Sequence, residues 1–141
     1  MQIRKRFYTP AEARSVLAAV RGQLARLQAT AEELRAVRQT LRAAPGGPPS
    51  GPEQARRVEA RARELEAELQ SLSGGLDEME VEVKDLDRGL VDFPAMLRGR
   101  EVCLCYQLGE PDLDSWHGIR DGFEGRRPIA EVPEHEWEWC N

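Results

Sequence analysis

The sequence has few of the features that are typical of membrane, secreted or zinc-finger proteins. Its 141 residues include three cysteines, and an odd number is a poor basis for a disulfide framework. Every apolar run falls short of the roughly 20 residues that span a bilayer, so we expect no membrane segment. The opening residues 1–6 lack the apolar stretch of a signal peptide, and we expect a cytoplasmic protein. Paired C-x-x-C, H-x-x-x-H and phosphate-binding glycine-loop motifs are also missing, so no local motif names an activity.

Charge is distributed unevenly along the chain. Residues 1–73 hold 13 basic and 8 acidic side chains, whereas residues 74–141 hold 7 basic and 17 acidic ones. The formal net charge of −5 is therefore the balance of a basic first half and a strongly acidic second half. Because nucleic-acid binding needs a basic face, we do not expect the protein to bind bulk nucleic acid.

Two long runs of helix-forming residues make up residues 1–79. Thr9, Pro10 and Glu12 predict a helix start, with Thr9 and Glu12 forming a capping box. Apolar residues then recur at steps of three and four, a spacing typical of a helix with one apolar seam. The first seam comprises Ala13, Leu17, Val20, Leu24, Leu27, Ala31, Leu34 and Leu41, and the second comprises Ala55, Val58, Ala62, Leu65, Leu69, Leu72, Leu76 and Met79.

The Pro/Gly-rich segment 43–52 cannot continue a helix, so it predicts a linker between the two runs. The spacing of the second seam survives across Gly74 and Gly75, which predicts a helix that continues to about residue 79. The two helices then form an antiparallel, coiled-coil hairpin. Because two helices bury only one narrow seam, we expect two hairpins to pair across the axis of a homodimer.

The remaining chain predicts a small antiparallel β module over residues 80–129, so the fold class is α+β. Strand patterns cover residues 81–84, 89–93, 102–106 and 113–116, and we expect Pro94 to stop the second strand. Residues 130–141 form an acidic tail with alternating Glu and Trp. We expect this tail to be an edge strand or a segment that docks on a partner, with at least one Trp packed.

Several motifs resemble one known family. They are the opening residues 7–13, the segment Lys84–Pro94, the segment Leu104–Glu110, the Trp116-His117 pair and the segment Gly122–Ile129. Together they resemble the bacterial and archaeal domain-of-unknown-function family numbered 2203, over about residues 7–129. The family pattern usually has Trp at the place of Tyr106, and Cys103 is not one of its marked positions. The resemblance implies a cytosolic prokaryotic protein of uncharacterised activity, with a helical hairpin and a small C-terminal module.

The acidic module contains side chains that suit a divalent cation. Asp85, Asp87, Asp92, Glu110 and His117 fall at predicted strand ends or turns, where loops gather binding groups. Carboxylates with one imidazole suit a cation of the Mn, Fe or Zn type, and Asp92, Glu110 and His117 form the candidate ligand set. Trp116 would supply an apolar wall beside His117. In the alternative reading, Asp92 and Glu110 accept hydrogen bonds from turn amides or pair with Arg126 or Arg127.

The cysteines and arginines leave further alternatives open. Cys103 and Cys105 share one face of a predicted strand about 7 Å apart, too far for an easy disulfide. Buried inert thiols are the simpler interpretation, although Cys140 could add a third thiol ligand. A nucleophilic pair of Cys105 with His117 ranks below the metal site because no orienting group is visible. Arg126 and Arg127 could form an anion-binding turn or pair with neighbouring acidic residues.

Two classes of function therefore remain open. The first is a non-enzymatic, oligomeric interaction protein whose helices dimerise while the β module binds a protein partner. The second is a small metal- or anion-binding module or enzyme that uses Asp92, Glu110, His117 and Arg126 around one pocket. We expect no cofactor in the first class and a divalent metal ion at most in the second.

Overall fold

The structure, a computed structural model, describes residues 5–42 and 51–138. It has an α+β fold in which a helical hairpin precedes an antiparallel sheet. The helices are α1 (Pro10–Arg42) and α2 (Pro52–Glu78), and the strands are β1 (Glu82–Asp85), β2 (Leu90–Leu97), β3 (Arg100–Gln107), β4 (Ser115–Gly118) and β5 (Arg127–Pro128). The strands lie in sequence order, each antiparallel to the next, and three short 3-10 helices follow β4 at Phe123–Gly125, Ile129–Glu131 and Glu134–Glu136.

The start of α1 has the predicted capping box. The Glu12 amide donates to Thr9 Oγ1 and the Thr9 amide donates to Glu12 Oε1, both at 3.1 Å. These two bonds satisfy amides that the first helical turn leaves free. The prediction that α2 continues through Gly74 and Gly75 is also confirmed, since α2 ends at Glu78. The predicted linker over residues 43–52 falls largely outside the described residues, and α2 begins at its last residue, Pro52.

The hydrophobic core lies between the hairpin base and one face of the sheet. Leu17, Val20 and Leu24 of α1 contact a cluster that includes Val91 and Phe93 of β2. The distal part of the hairpin has a separate, smaller cluster of buried residues, which comprises Leu34, Ala62 and Leu65. The sheet covers the hairpin base, and among the described residues the distal cluster is formed by side chains of α1 and α2. No helix within the described residues is long and apolar enough to cross a membrane.

The prediction that Pro94 ends the second strand is wrong, because β2 continues to Leu97. A proline interrupts a strand by removing an N–H donor from the ladder. In a strand, the N and O atoms of one residue point towards the same neighbour. The Pro94 carbonyl accepts from the Tyr8 amide at 2.7 Å, so the proline nitrogen also faces this edge and not β3. The ladder between β2 and β3 therefore loses no hydrogen bond.

Segments far apart in sequence complete the edge of β2. Its first residues pair with β1, Pro94 bonds to Tyr8, and Leu97 forms a bridge with Trp137 of the tail. Trp137 is buried, which confirms that at least one tail tryptophan is packed. The other tail tryptophan, Trp139, lies outside the described residues. The fourth strand forms over residues 115–118, two residues later than predicted, and β5 is an additional short strand.

Candidate metal site on the outer face of the sheet

The outer face of the sheet carries a row of polar and thiol side chains. Strand residues alternate between two faces, and on β2 and β3 the helix-facing set includes Phe93 and Leu104. Asp92 pairs with Cys105 across β2 and β3, and Cys103 pairs with His117 across β3 and β4. These four residues therefore share the face that points away from the helices.

Asp92 and His117 meet across the intervening strand. His117 Nε2 lies 3.0 Å from Asp92 Oδ1, and the two residues are only 4% and 3% exposed. The strand between them, β3, presents Cys103 and Cys105 on this face. Because cysteine side chains are small, they leave space above β3 for the imidazole and carboxylate to approach each other. The expectation that Asp92 and His117 lie at strand ends is wrong, since both lie within strands.

The hydrogen bonds of His117 define which of its nitrogens carries a proton. Nδ1 lies 2.7 Å from the Gly118 carbonyl oxygen, which can only accept, so Nδ1 is the donor. A neutral imidazole then has a bare lone pair on Nε2, directed at Asp92 Oδ1. An ionised carboxylate would oppose this lone pair, so the pair needs a second proton or a cation. Asp92 Oδ2 is buried and has no hydrogen-bond partner among the described residues.

Cys103 completes a group of three potential metal ligands. One ligand atom each of Asp92, Cys103 and His117 lies within 4.8 Å of the others. Cys103 is half-buried, whereas the other two residues are buried. Burial, and secondarily the charge of Asp92, raises the pKa of the Cys103 thiol from 9.0 to about 12. Without a metal, this thiol is therefore protonated at neutral pH.

Cys105 is also a thiol, but it lies outside the group of Asp92, Cys103 and His117. It is fully buried, and burial followed by the charge of Asp92 raises its pKa from 9.0 to about 12. A thiol with so high a pKa is a poor nucleophile, and the partner of His117 Nε2 is Asp92. The structure thus gives no support to the predicted catalytic pair of Cys105 with His117. Cys103 and Cys105 are free thiols, and the suggested third thiol, Cys140, lies outside the described residues.

Glu110 and Arg126 form a separate ion pair. Arg126 Nη2 lies 2.6 Å from Glu110 Oε1, which also accepts from the Gln107 amide at 2.7 Å. The same Arg126 nitrogen donates to the Cys105 carbonyl at 3.2 Å. Glu110 thus accepts from a turn amide and pairs with Arg126, as in the alternative reading from sequence. The structure does not place it among the ligand atoms around His117.

Trp116 and Arg127 lie apart from the group around His117 and from the Glu110–Arg126 ion pair. Trp116 pairs with Leu104 on the helix-facing side, because adjacent strand residues point in opposite directions. It therefore forms no wall beside the His117 ring. Its own ring contacts Trp137 edge-to-face at 6.1 Å, and the Arg127 guanidinium lies 5.7 Å from its centroid.

The two remaining acidic candidates serve local structure. Asp85 Oδ1 accepts from the Arg88 amide at 3.1 Å, which closes the turn between β1 and β2. Asp87 forms an exposed ion pair of 3.3 Å with Arg35 of α1. Neither carboxylate contributes to the group around His117.

The sequence predicted Asp92, His117 and Glu110 as candidate ligands, whereas the structure brings Cys103 beside Asp92 and His117. A signal for Cys103 was present in the sequence, since it alternates with apolar residues in a strand of strong β formers. Cys103 lies on the same face of β3 as Cys105, so one face of this strand carries both thiols. The strand register that joins this side to Asp92 and His117 could not be derived from spacing alone.

A family model described as "Uncharacterized conserved protein (DUF2203)" matches residues 6–129, which include all five strands and both helices. The chain belongs to this family. The match contains Asp92, Cys103 and His117, and it ends before the 3-10 helix at Glu134–Glu136. Comparison with curated proteins and with solved structures found no match.

Proposed function

We propose that the protein binds a zinc-class divalent cation through Asp92, Cys103 and His117. The arrangement of His117 is the observation that carries this proposal. The bond from Nδ1 to the Gly118 carbonyl orients the ring and leaves the Nε2 lone pair towards Asp92 and Cys103. Histidine ligands in metal sites have this same second bond to a carbonyl or carboxylate, which fixes the tautomer.

The spacing of the three donors suits a small tetrahedral ion. Zinc bonds of about 2.0 to 2.3 Å separate neighbouring tetrahedral ligands by roughly 3.3 to 3.7 Å. The ligand atoms of Asp92, Cys103 and His117 lie within 4.8 Å of one another, with 3.0 Å between Nε2 and Oδ1. Movements of up to about 1 Å would bring the three donors to these separations.

The charges favour a divalent ion as well. One carboxylate and one thiolate neutralise a divalent cation, and the neutral imidazole adds a nitrogen ligand. A thiolate with an imidazole selects Zn²⁺ over Mg²⁺ or Ca²⁺, which prefer oxygen ligands. Binding would displace the proton of Cys103, so affinity should rise with pH. Three protein ligands leave one tetrahedral position for water or another donor, and the half-buried Cys103 marks the side nearest to solvent.

Titration with Co²⁺ tests the site directly. Co²⁺ occupies zinc sites and gives a thiolate charge-transfer band only when cysteine sulfur binds it. We expect this band and tetrahedral d–d absorption in the full chain, both displaced by Zn²⁺. The Cys103→Ser variant should lose the charge-transfer band, whereas His117→Gln should lower the affinity.

Cys105→Ser is the matched control, since Cys105 lies two residues away on the same face but outside the three-ligand group. It should keep the charge-transfer band. A band that disappears with Cys105→Ser and persists with Cys103→Ser would contradict the proposed ligands. No cobalt spectrum at millimolar metal would contradict the function itself.

We propose homodimerisation through the helical hairpin as a second function, which would present the β module to a protein partner. It is supported by the distal hairpin, where the apolar cluster of the described residues comprises buried Leu34, Ala62 and Leu65, with Val37 partly buried. Because the seam is partly covered already, a dimer would bury modest additional area and should be weak. Light scattering after size exclusion should show a dimer that Val37→Glu dissociates, and a monomer at high micromolar concentration would contradict it.

The free thiols Cys103 and Cys105 suit a reducing compartment, and we propose that the protein acts in the cytoplasm.

A further inference from the structure

The second candidate site lies where β3 begins and β4 ends. A cleft of about 730 Å³ opens there, with Val102, Trp116 and Ile119 among its lining residues. This volume lies within the range of about 300 to 1,000 Å³ that small-molecule sites occupy. The ligand atoms of Asp92, Cys103 and His117 do not line this cleft, so it is separate from the proposed metal site.

Some charges on the cleft wall are already neutralised. Arg98 donates from Nε to Glu136 Oε2 at 2.7 Å, which ties it to the tail. Glu101 forms an ion pair with Lys5. These two wall residues therefore have partners from other segments and add little net charge to the cleft.

Three other cations have no such partner. Arg100, Arg120 and Arg127 line the cleft, and none of them forms an ion pair with any residue in the described ranges. Asp121 is the remaining acidic residue among the described residues that line the wall. In an acidic module, three unneutralised guanidinium groups against one carboxylate create a local positive field. Guanidinium groups recognise phosphate and carboxylate with paired N–H donors, so this field suits an anion.

The cleft also has an apolar surface. Ile119 is 57% exposed and is the one exposed large hydrophobic side chain among the described residues. Trp116 lies nearby with the Arg127 guanidinium over its ring. A simple inorganic anion would contact the arginines and leave this apolar surface in water. A ligand that carries a flat or apolar body beside its charge would cover both.

We propose that this cleft binds a small organic dianion with a flat body, of the class represented by nucleoside monophosphates. The phosphate contacts Arg100 and Arg120, and the base or ring lies against Ile119 and Trp116. Arg127 bridges the two parts, with its cation next to the aromatic ring and its N–H groups available to the anion. This proposal is independent of the metal site and of the dimer.

Isothermal titration of the full chain with adenosine 5′-monophosphate in a chelating buffer tests the proposal. Arg100→Gln and Arg120→Gln should each weaken binding about tenfold, because a charge-assisted hydrogen bond contributes about 1.5 kcal/mol. Arg63→Gln is the charge-matched control, since Arg63 lies exposed on α2 outside the cleft. It should leave the affinity unchanged. Binding should weaken as salt concentration rises.

Two further ligands test the contribution of the phosphate charge and that of the flat ring separately. Adenosine should bind far more weakly than the monophosphate because it lacks the dianion, and inorganic phosphate should bind more weakly because it lacks the body. Equal binding of adenosine and the monophosphate would overturn the role of the arginines. Equal binding of phosphate would overturn the role of the apolar surface. If Arg63→Gln weakened binding as much as Arg100→Gln and Arg120→Gln, the site would be overturned. The absence of binding at millimolar monophosphate would overturn it as well.

Discussion

Replacing Asp92 with asparagine should stabilise the metal-free protein while abolishing the proposed metal binding. In the native chain Asp92 Oδ1 lies 3.0 Å from His117 Nε2, and Oδ2 is buried with no hydrogen-bond partner among the described residues. An asparagine of the same shape can donate its amide N–H to the lone pair of this Nε2. Its amide oxygen then occupies the unpartnered position without a formal charge. Asp92→Asn thus forms this hydrogen bond without the second proton that the metal-free Asp92–His117 pair needs, and it removes a carboxylate whose Oδ2 has no partner among the described residues.

The expected gain follows from the cost of burying a polar group. An unsatisfied buried acceptor costs about 1 to 3 kcal/mol, and more when it is charged. Only part of this cost is recovered, because one amide oxygen stays unpartnered. We therefore expect Asp92→Asn to raise the free energy of unfolding by about 1 to 2 kcal/mol. For a chain of this length, that gain corresponds to a melting temperature higher by roughly 3 to 6 °C.

Urea unfolding at pH 8 in chelating buffer measures this change, with the midpoint and slope fitted together. Asp87→Asn is the control, since Asp87 is also an aspartate but forms only an exposed pair with Arg35. It should change the free energy by less than about 0.5 kcal/mol. With Zn²⁺ at 100 times its dissociation constant, the native chain should gain about 2.7 kcal/mol, and Asp92→Asn should gain nothing.

A loss of stability would refute the reasoning. If His117 were a full imidazolium paired with an ionised Asp92, Asp92→Asn would break a buried ion pair. Such a break costs about 3 to 5 kcal/mol. A loss of that size at pH 8 would mean that the pair is complete without a metal. Zinc stabilisation that persists in Asp92→Asn would remove Asp92 from the ligand set.

Two further predictions concern the fold. Thr9→Ala should lower the free energy of unfolding by about 1 kcal/mol, since it removes the capping oxygen that Glu12 N donates to; denaturant unfolding measures this loss, and no loss would contradict the role of the cap. Burial raises the pKa of Cys105 from 9.0 to about 12, so above pH 9 the unfolded chain releases a proton that the folded chain retains. Stability should therefore fall with rising pH, by about 1.4 kcal/mol between pH 7 and pH 10 for this thiol. Cys105→Ala should show a correspondingly smaller decrease, and equal decreases in both proteins would contradict the assignment.

Local signals in the sequence were enough to predict the helices. Thr9 and Glu12 define the start of α1 through contacts three residues apart, and the seam of α2 outweighs the cost of Gly74 and Gly75. The end of β2 could not be predicted in the same way. Whether Pro94 breaks a strand depends on which edge its nitrogen faces. Tyr8, 86 positions earlier in the sequence, occupies that edge.

The candidate site was predictable only in part. Asp92 and His117 stood out as polar residues near strands, and the structure brings them together. Glu110 was an equally reasonable ligand from sequence, but Arg126 and the Gln107 amide bind its Oε1. Cys103, and not Glu110, lies beside Asp92 and His117 because β3 lies between β2 and β4 in the sheet. A shift of one residue in either register would turn Cys103 towards the helices.

The sequence by itself determined the α+β class, the capped helical hairpin and the family, because capping, periodicity and motifs act over a few residues or are matched directly. Only the tertiary structure decided which polar residues meet. Side chains that converge above β3 come from strands whose register depends on the whole core, and the free edge of β2 is completed by the N-terminal segment and the tail. Contacts between positions so distant in the chain depend on strand register, and the spacing of residues within one strand does not encode the register.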